Sequence, residues 1–438
     1  MRCVRFAALL LAGTVTRAAA QDAARLHADI DRLAATTTEH VTAWRRDFHQ
    51  HPELGNRETR TADIVARQLR ALGIEVRTGV AHTGVVGILR GGRPGGVVAL
   101  RTDMDALPVT EEVNLPFASR ERTQYNGQDV GVMHACGHDM HMAMMLGTAE
   151  VLAGMRAQIP GTVVFIFQPA EEGPPAGEEG GAAMMIREGV LDNPRVDAIF
   201  GLHVFSRVPT GRLDYRPGPM MAAAENFTII VHGRQTHGAL PWRGTDPIVA
   251  AAQIVLGLQT IISRQSDLTL APAVITVGII RGGVRSNIIP DSVELTGTIR
   301  TFDAAMRTAI HDRIRRTAVS IAEASGASAT LTIGGGGGAI TVNDPALTER
   351  MVPTLRRVGG PDGVAIAQQT TTAEDFSAYQ QRIPGMFLFL GVTPPDAQMD
   401  TVAANHSPRF FGEESAMPVG VRTLANLAVD YLLSRQAP

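Results

Sequence analysis

The chain has 438 residues, 45% hydrophobic and 19% charged, the balance of an ordinary globular protein too long for one compact core. Its formal charge is −3, and all 40 of its basic side chains are arginine. That charge speaks against a nucleic-acid partner, and a chain without lysine excludes Schiff-base chemistry and a lysine-bearing phosphate loop.

Arg2 and Arg5 precede an apolar stretch at 6–15, and Ala18, Ala19 and Ala20 follow it. This is the pattern of an export signal over 1–20, cleaved before Gln21. The stretch is too short for a stable membrane anchor, so a soluble periplasmic or secreted protein is expected. Cys3 would leave with the signal. Cys136 then remains as a lone thiol with no partner for an internal disulfide.

Apolar periodicity predicts helices over 23–51 and 61–72, the second stopped by Gly73. Short apolar runs then alternate with helices at 138–155 and 180–188. The run 97–101 leads into Asp103, 161–167 into Glu171 and Glu172, and 196–200 into His203. Buried strands alternating with helices predict an α/β domain, a mostly parallel sheet flanked by helices. Ligands gather beyond the carboxyl ends of such strands. Three strands here end in residues able to bind metal or move protons.

The character changes after Gly211. Strands are expected at 226–231, 273–280, 291–300 and 328–333, with helices at 246–263 and 304–324. The order β-α-β-β-α-β is that of a ferredoxin-like α+β domain. The five glycines at 334–338 read as a flexible connector. The α/β character then returns, ending in an amphipathic helix at 417–434. The expected organisation is a catalytic metal-binding domain of 21–213 and 334–438, interrupted by an inserted domain of 214–333.

The densest chemistry lies in His134-Ala-Cys-Gly-His-Asp-Met-His141, with three histidines, an aspartate and a cysteine in eight residues. Thiolate ligation of a metal is the leading explanation for this thiol. The segment opens a helix, whose dipole is expected to lower the Cys136 pKa. His138 and His141, three apart, share a helical face. Glu171 and Glu172 are adjacent at a strand end, so one can bind metal while its neighbour faces a bound water. Glu178 and Glu179 read as a solvated acidic loop. Alone, His203 would fit a core histidine and His406 an exposed loop.

Several segments in order resemble the amidohydrolase branch of the M20 metallopeptidases, which includes hippurate hydrolases, N-acyl-amino-acid amidohydrolases and auxin-conjugate hydrolases. They are Arg46-Asp-Phe-His-Gln-His-Pro-Glu-Leu-Gly55, Asp103-Met-Asp-Ala-Leu-Pro108, Met133-His-Ala-Cys-Gly-His-Asp139, Phe167-Gln-Pro-Ala-Glu-Glu172, Gly201-Leu-His-Val204, Asn287-Ile-Ile-Pro-Asp291 and Glu374-Asp-Phe376. The resemblance implies two divalent metal ions per chain, manganese or zinc, with cobalt or nickel as further candidates. It implies Cys136, His138, Glu172, His203 and His406 as metal ligands, with Cys136 bridging. It implies Glu171 as the catalytic base and Asp105 as a carboxylate that orients a ligand. His237 and Asn287 match residues that contact substrate across a dimer interface, and the inserted domain would serve as lid and dimer surface. The chain departs from the family pattern at Met140, Met142, Trp242 and Asn405, and it carries an extra acidic stretch at 174–179.

The implied reaction is hydrolysis of an N-acyl or N-aroyl amino acid by a homodimer, with a small-molecule substrate and no nucleic acid. An exported dipeptidase or short-peptide carboxypeptidase is the close alternative. Two further classes stand beside it. One is a hydrolase with Cys136 as nucleophile, which leaves Glu172, His203 and His406 without roles. The other is a non-catalytic binding protein, for which Glu171 would be superfluous.

Overall fold

The computed structural model describes the backbone of residues 3–436 and the side chains of 21–436. The side chains of the expected signal, 1–20, lie outside the described residues. The chain divides into two compact units. The larger comprises Met1–Gly218, Asn343–Ala367 and Tyr379–Pro438, and the smaller Pro219–Val342 and Gln368–Ala378.

The larger unit is built on an eight-stranded sheet. Its spatial order is Glu75–Val80, Gly84–Arg90, Pro160–Gln168, Arg93–Asp103, Ala198–Pro209, Gly385–Thr393, Leu213–Tyr215 and Val364–Ile366. The four strands from Pro160–Gln168 to Gly385–Thr393 run parallel, and antiparallel neighbours adjoin them on both sides. These central strands are buried on both faces, which is why they read as continuous runs of Val, Ile, Leu and Phe. Helix His138–Gly154 is buried almost all round, between the sheet and helices Cys3–Gln50 and Met417–Ser434. A Cβ on Gly147 would lie 2.5 Å from Val41 Cγ2, so glycine lets the first two of these helices approach closely.

The smaller unit has a four-stranded antiparallel sheet in the order Ala273–Gly282, Ser292–Thr301, Ala223–His232, Ser328–Gly338. Numbered along the unit this is 2-3-1-4, the ferredoxin-like order. Strand Ser292–Thr301 alternates strictly, burying Val293, Leu295 and Ile299 against helices Pro247–Gln265 and Ala304–Ala324. Asp246 and Asp303 cap these helices, accepting from Ile248 N at 2.8 Å and Met306 N at 2.7 Å.

Two expectations differ from the structure. Residues 334–338 are not a connector but the end of strand Ser328–Gly338, with Gly338 opposite Ala224 and Gly334 opposite Asn226. Backbone pairing needs no side chain, and a Cβ on Gly336 would lie 2.5 Å from Ala224 O. The glycines therefore mark a close, irregular pairing. The bounds of the smaller unit also differ from 214–333, running from Pro219 to Val342. It starts after strand Leu213–Tyr215, which belongs to the large sheet, and it takes in 368–378 with Glu374.

Candidate metal centre

The donor atoms come from the start of helix His138–Gly154, the turn after strand Pro160–Gln168, strand Ala198–Pro209 itself and the loop at His406. Gly137, with φ +100°, turns the chain into helix His138–Gly154. Cys136 Sγ lies 3.3 Å from His203 Nε2 and 3.2 Å from His406 Nε2. His406 Nε2 is in turn 2.9 Å from Glu172 Oε1. Ligand atoms of Cys136, His138 and Glu172 lie within 4.8 Å of one another.

Each donor is held by its non-ligating side. His138 Nδ1 donates to Asp105 O at 2.7 Å, so buried Nε2, which has no hydrogen-bond partner, is turned toward the cluster. Asp105 Oδ2 also accepts the Glu172 N–H at 2.9 Å, so one residue fixes two of the donors. His203 Nδ1 donates to Val204 O at 2.6 Å, turning Nε2 toward the thiol. The His406 N–H donates to Ala135 O at 2.8 Å, and Asn405 Nδ2 donates to Cys136 O at 2.8 Å and Val204 O at 3.2 Å. Glu171 Oε2 stands 3.9 Å from His138 Nε2.

The electrostatics call for a cation. Burial, with Glu172, Glu171 and Asp103 nearby, pushes the Cys136 thiol well above its ordinary pKa. This corrects the expectation from the helix dipole: desolvation and three carboxylates outweigh it. Burial lowers the proton affinity of His138, but Asp103, Asp105 and Glu172 more than reverse this and push it up to about 10. Burial acts to raise the Glu172 pKa, yet His406 and His138 hold it below the usual range. Burial keeps His203 neutral, as ligation requires. Thiolate, imidazole and carboxylate donors, one of them an orphaned buried nitrogen, fit a transition-type divalent metal.

Asp103, His138, His141 and His203 also cluster. His141, however, donates from Nδ1 to Asp103 Oδ1 at 2.6 Å and accepts the Val204 N–H on Nε2 at 2.8 Å. Both of its nitrogens are committed, so it tethers the strand carrying His203. The roles of Asp103 and His141 are not expected from the sequence. Their signals were the strand that ends at Asp103 and the three-residue spacing from His138. Behind the helix start lies a second buried network. His49 Nδ1 contacts Asp139 Oδ2 at 2.8 Å, Arg45 Nε contacts the same oxygen at 3.1 Å, and Glu111 contacts His49 Nε2 at 3.2 Å.

Within the smaller unit, His237 pairs with Ile288 in a two-stranded ladder, and the Gly238 N–H donates to Asn287 O at 2.8 Å. His237 and Asn287 are thus neighbours there, and both are exposed. His237 Nδ1 accepts the Ala239 N–H at 3.0 Å, which leaves Nε2 as the protonated nitrogen.

A cluster of imidazole, thiolate and carboxylate beyond the ends of parallel strands, with an adjoining carboxylate, defines a metal-dependent hydrolase centre. The chain belongs to peptidase family M20/M25/M40, whose profile matches residues 99–430. It is 40% identical to thermostable carboxypeptidase 2 of Saccharolobus solfataricus, over 88% of this chain and 94% of that protein. It is 38% identical to the N-acetylcysteine deacetylase of Bacillus subtilis, over 88% of this chain and 95% of that protein. Among solved structures, the Bacillus subtilis YXEP protein, described as a dinuclear metal binding peptidase of the M20 family, superposes with a TM-score of 0.76. That match has 35% identity and covers 91% of this chain and 99% of the other. The protein is a metal-dependent hydrolase of amide or peptide bonds, and its donor cluster and solved relatives support two metal ions.

Proposed function

We propose that the protein hydrolyses the amide bond of N-acyl or N-aroyl amino acids, releasing a free amino acid and a carboxylic acid. The observation that carries this reading is the buried Cys136–His138–Glu172 cluster with the Glu171 carboxylate beside it. Cys136, His138, Glu172, His203 and His406 would hold the two ions, manganese or zinc. When bound, the ions supply the charge that acidifies a water and polarises an amide carbonyl. Glu171 takes the proton from that water and delivers it to the departing amine. Asp105 keeps His138 and Glu172 in register. His237 Nε2–H is proposed as a donor to the developing oxyanion, with Asn287 as a second substrate contact.

The deacetylase relative favours the acyl-amino-acid reading, and the carboxypeptidase relative favours short peptides. Both classes present an amide near a free carboxylate. The raised thiol pKa speaks against Cys136 as a nucleophile. The deciding experiment counts metal per chain and assays a panel of N-acyl amino acids and dipeptides before chelation, after it, and after metal is restored. Glu171→Gln is expected to keep its metal and lose about 10²–10⁴-fold in turnover. Turnover that survives both chelation and Glu171→Gln sinks the proposal.

We also propose a homodimer formed through the smaller unit. Strand Ala273–Gly282 is a sheet edge, and exposed apolar side chains cluster in sequence on and around it: Leu268, Leu270, Val274, Ile279, Ile280 and Val284. Helix Pro247–Gln265 is long and apolar enough for a membrane span, but Ala250, Ile254, Leu258 and Ile261 are buried in the unit's core. Its Asp246 cap and this packing support a core helix. Sedimentation of wild type against Ile280→Arg tests the dimer, and a monomeric wild type refutes it. Export is proposed on the Arg2, Arg5 and 6–15 pattern, and N-terminal sequencing of the secreted protein checks it.

A further inference from the structure

The turn that delivers the two glutamates is strained. Ala170 has φ +51°, a left-handed conformation that a residue with a Cβ seldom adopts. Its carbonyl accepts the Gly173 N–H at 3.3 Å, so the strain sits in the loop carrying Glu171 and Glu172. We propose that Glu58 is a positioning residue for the reaction, holding the Ala170 peptide in this conformation and so aiming Glu171 and Glu172 at the metal centre.

The contacts are specific. Glu58 Oε1 accepts the Ala170 N–H at 2.8 Å, and Oε2 accepts Thr83 Oγ1–H at 2.5 Å. The side chain is completely buried. Glu58 stands at the N-cap of helix Thr59–Ala71 but makes no side-chain cap bond. Glu53 does that work instead, accepting the Arg60 N–H at 3.1 Å and the Thr61 N–H at 2.8 Å. The Glu58 carboxyl is therefore turned away from its local helix and toward the turn.

Two carboxylates thus grip the turn two residues apart, Glu58 at the Ala170 N–H and Asp105 at the Glu172 N–H. A Cβ on Gly55 or on Gly180 would come within 3.1 Å of Ala170 Cβ, so the turn is walled on two sides as well. A buried carboxyl is costly and needs compensation. Burial and the charge of Asp105 push this one up to about 7. In either protonation state Oε1 keeps a lone pair for the Ala170 N–H, so an amide oxygen can replace it.

The inference rests on Glu171 and Glu172 having the roles proposed above. The test compares Glu58→Ala, Glu58→Gln, Ala170→Gly and the double variant Glu58→Ala/Ala170→Gly in the full chain. Three quantities are measured: kcat and KM at saturating manganese on the amide that wild type cleaves fastest, manganese affinity by chelator competition, and hydrogen exchange across 169–173. Glu58→Ala is expected to lose about 10- to 100-fold in kcat or metal affinity with little change in KM. Exchange at the turn should rise. Glu58→Gln should recover most of the loss. Ala170→Gly should recover part of it in the double variant, because glycine adopts a positive φ without strain. If Glu58→Ala fails to fold, Glu58→Met reads the same quantity with the volume kept and the acceptor removed. Unchanged kcat, affinity and exchange in the acceptor-less variant overturn the proposal, and so does a Glu58→Gln as damaged as Glu58→Ala. Metal affinity and exchange need no substrate, so an error about substrate class leaves this test intact.

Discussion

Asn405 precedes the proposed ligand His406, and Asn405→Ala perturbs the centre without removing any of the proposed donor atoms. The side chain makes three hydrogen bonds. Nδ2 reaches Cys136 O at 2.8 Å and Val204 O at 3.2 Å, and Oδ1 accepts the Ser206 N–H at 3.1 Å. These join the His406 loop to the Cys136 loop and to the strand of His203. The next residue, His406, has φ +70°, so its ring depends on the loop being held. Three bonds at about 1 kcal/mol each give an upper bound near 3 kcal/mol. Asn405 is only half-buried, so water replaces part of this, leaving about 1–2 kcal/mol, or a 5- to 30-fold loss of metal affinity. A chelator competition titration reads that loss directly, and kcat at saturating metal should recover toward wild type. Metal affinity unchanged in Asn405→Ala would refute the view that these bonds place His406.

Asp430 joins His27 Nε2 and Thr354 Oγ1, each at 2.6 Å, and also pairs with Arg357. Burial opposes ionisation, but these partners hold its pKa below the ordinary range. With the folded pKa depressed, its stabilisation is present above the unfolded value of about 3.9 and is lost as pH falls through the folded value. Asp430→Asn should therefore cost about 1–3 kcal/mol at pH 7 and progressively less toward pH 3, read from thermal melts across pH; an equal deficit at both ends contradicts this. Gly336→Ala places a Cβ 2.5 Å from Ala224 O at φ +106°, and a loss of at least about 2 kcal/mol is expected in denaturant titration. A wild-type midpoint would show that the strand end relaxes freely. Loading the metal-free protein at pH 7 should release protons, since Cys136 and His138 both hold theirs there. Calorimetry in two buffers of different ionisation enthalpy should give different heats, and identical heats would count against displacement of those protons.

Much of this architecture was legible because buried parallel strands write themselves as apolar runs. The runs ending near Asp103, Glu171 and His203 mark the carboxyl edge of the sheet in the sequence itself. The ferredoxin-like unit is legible for a different reason, the strict alternation of a half-buried antiparallel strand in Ser292–Thr301 and the Asp caps at 246 and 303. The glycine run was not legible, because five residues without side chains carry no periodicity and their pairing with Ala223–His232 is set by the partner strand. The Cys136 pKa was misjudged because a helix start is visible in sequence, whereas Glu171, Glu172 and Asp103 approach from other segments. The spacing shows only that His141 shares a helical face with His138, since only the fold brings Asp103 and the Val204 N–H to its two nitrogens.

The arrangement has a consequence for how the centre is built. Asp103, Asp105, Glu171, Glu172 and the Cys136 thiol crowd together near the carboxyl ends of the strands, where Arg101 beside Asp103 and the proton of His138 supply positive charge. Such a group is unfavourable unless it is tied down, and each donor is indeed tied through an atom it does not need for ligation. His138 is tied through Nδ1, His203 through its own Nδ1, Glu172 through its backbone N–H, and the His406 loop through the amide of Asn405. Rigid tethers keep the like charges from moving apart or toward solvent, so their repulsion is relieved by protons or by cations. The same carboxylates that raise the proton affinity of His138 and the thiol would favour a doubly charged ion held by these donors, and its charge would take the place of those protons.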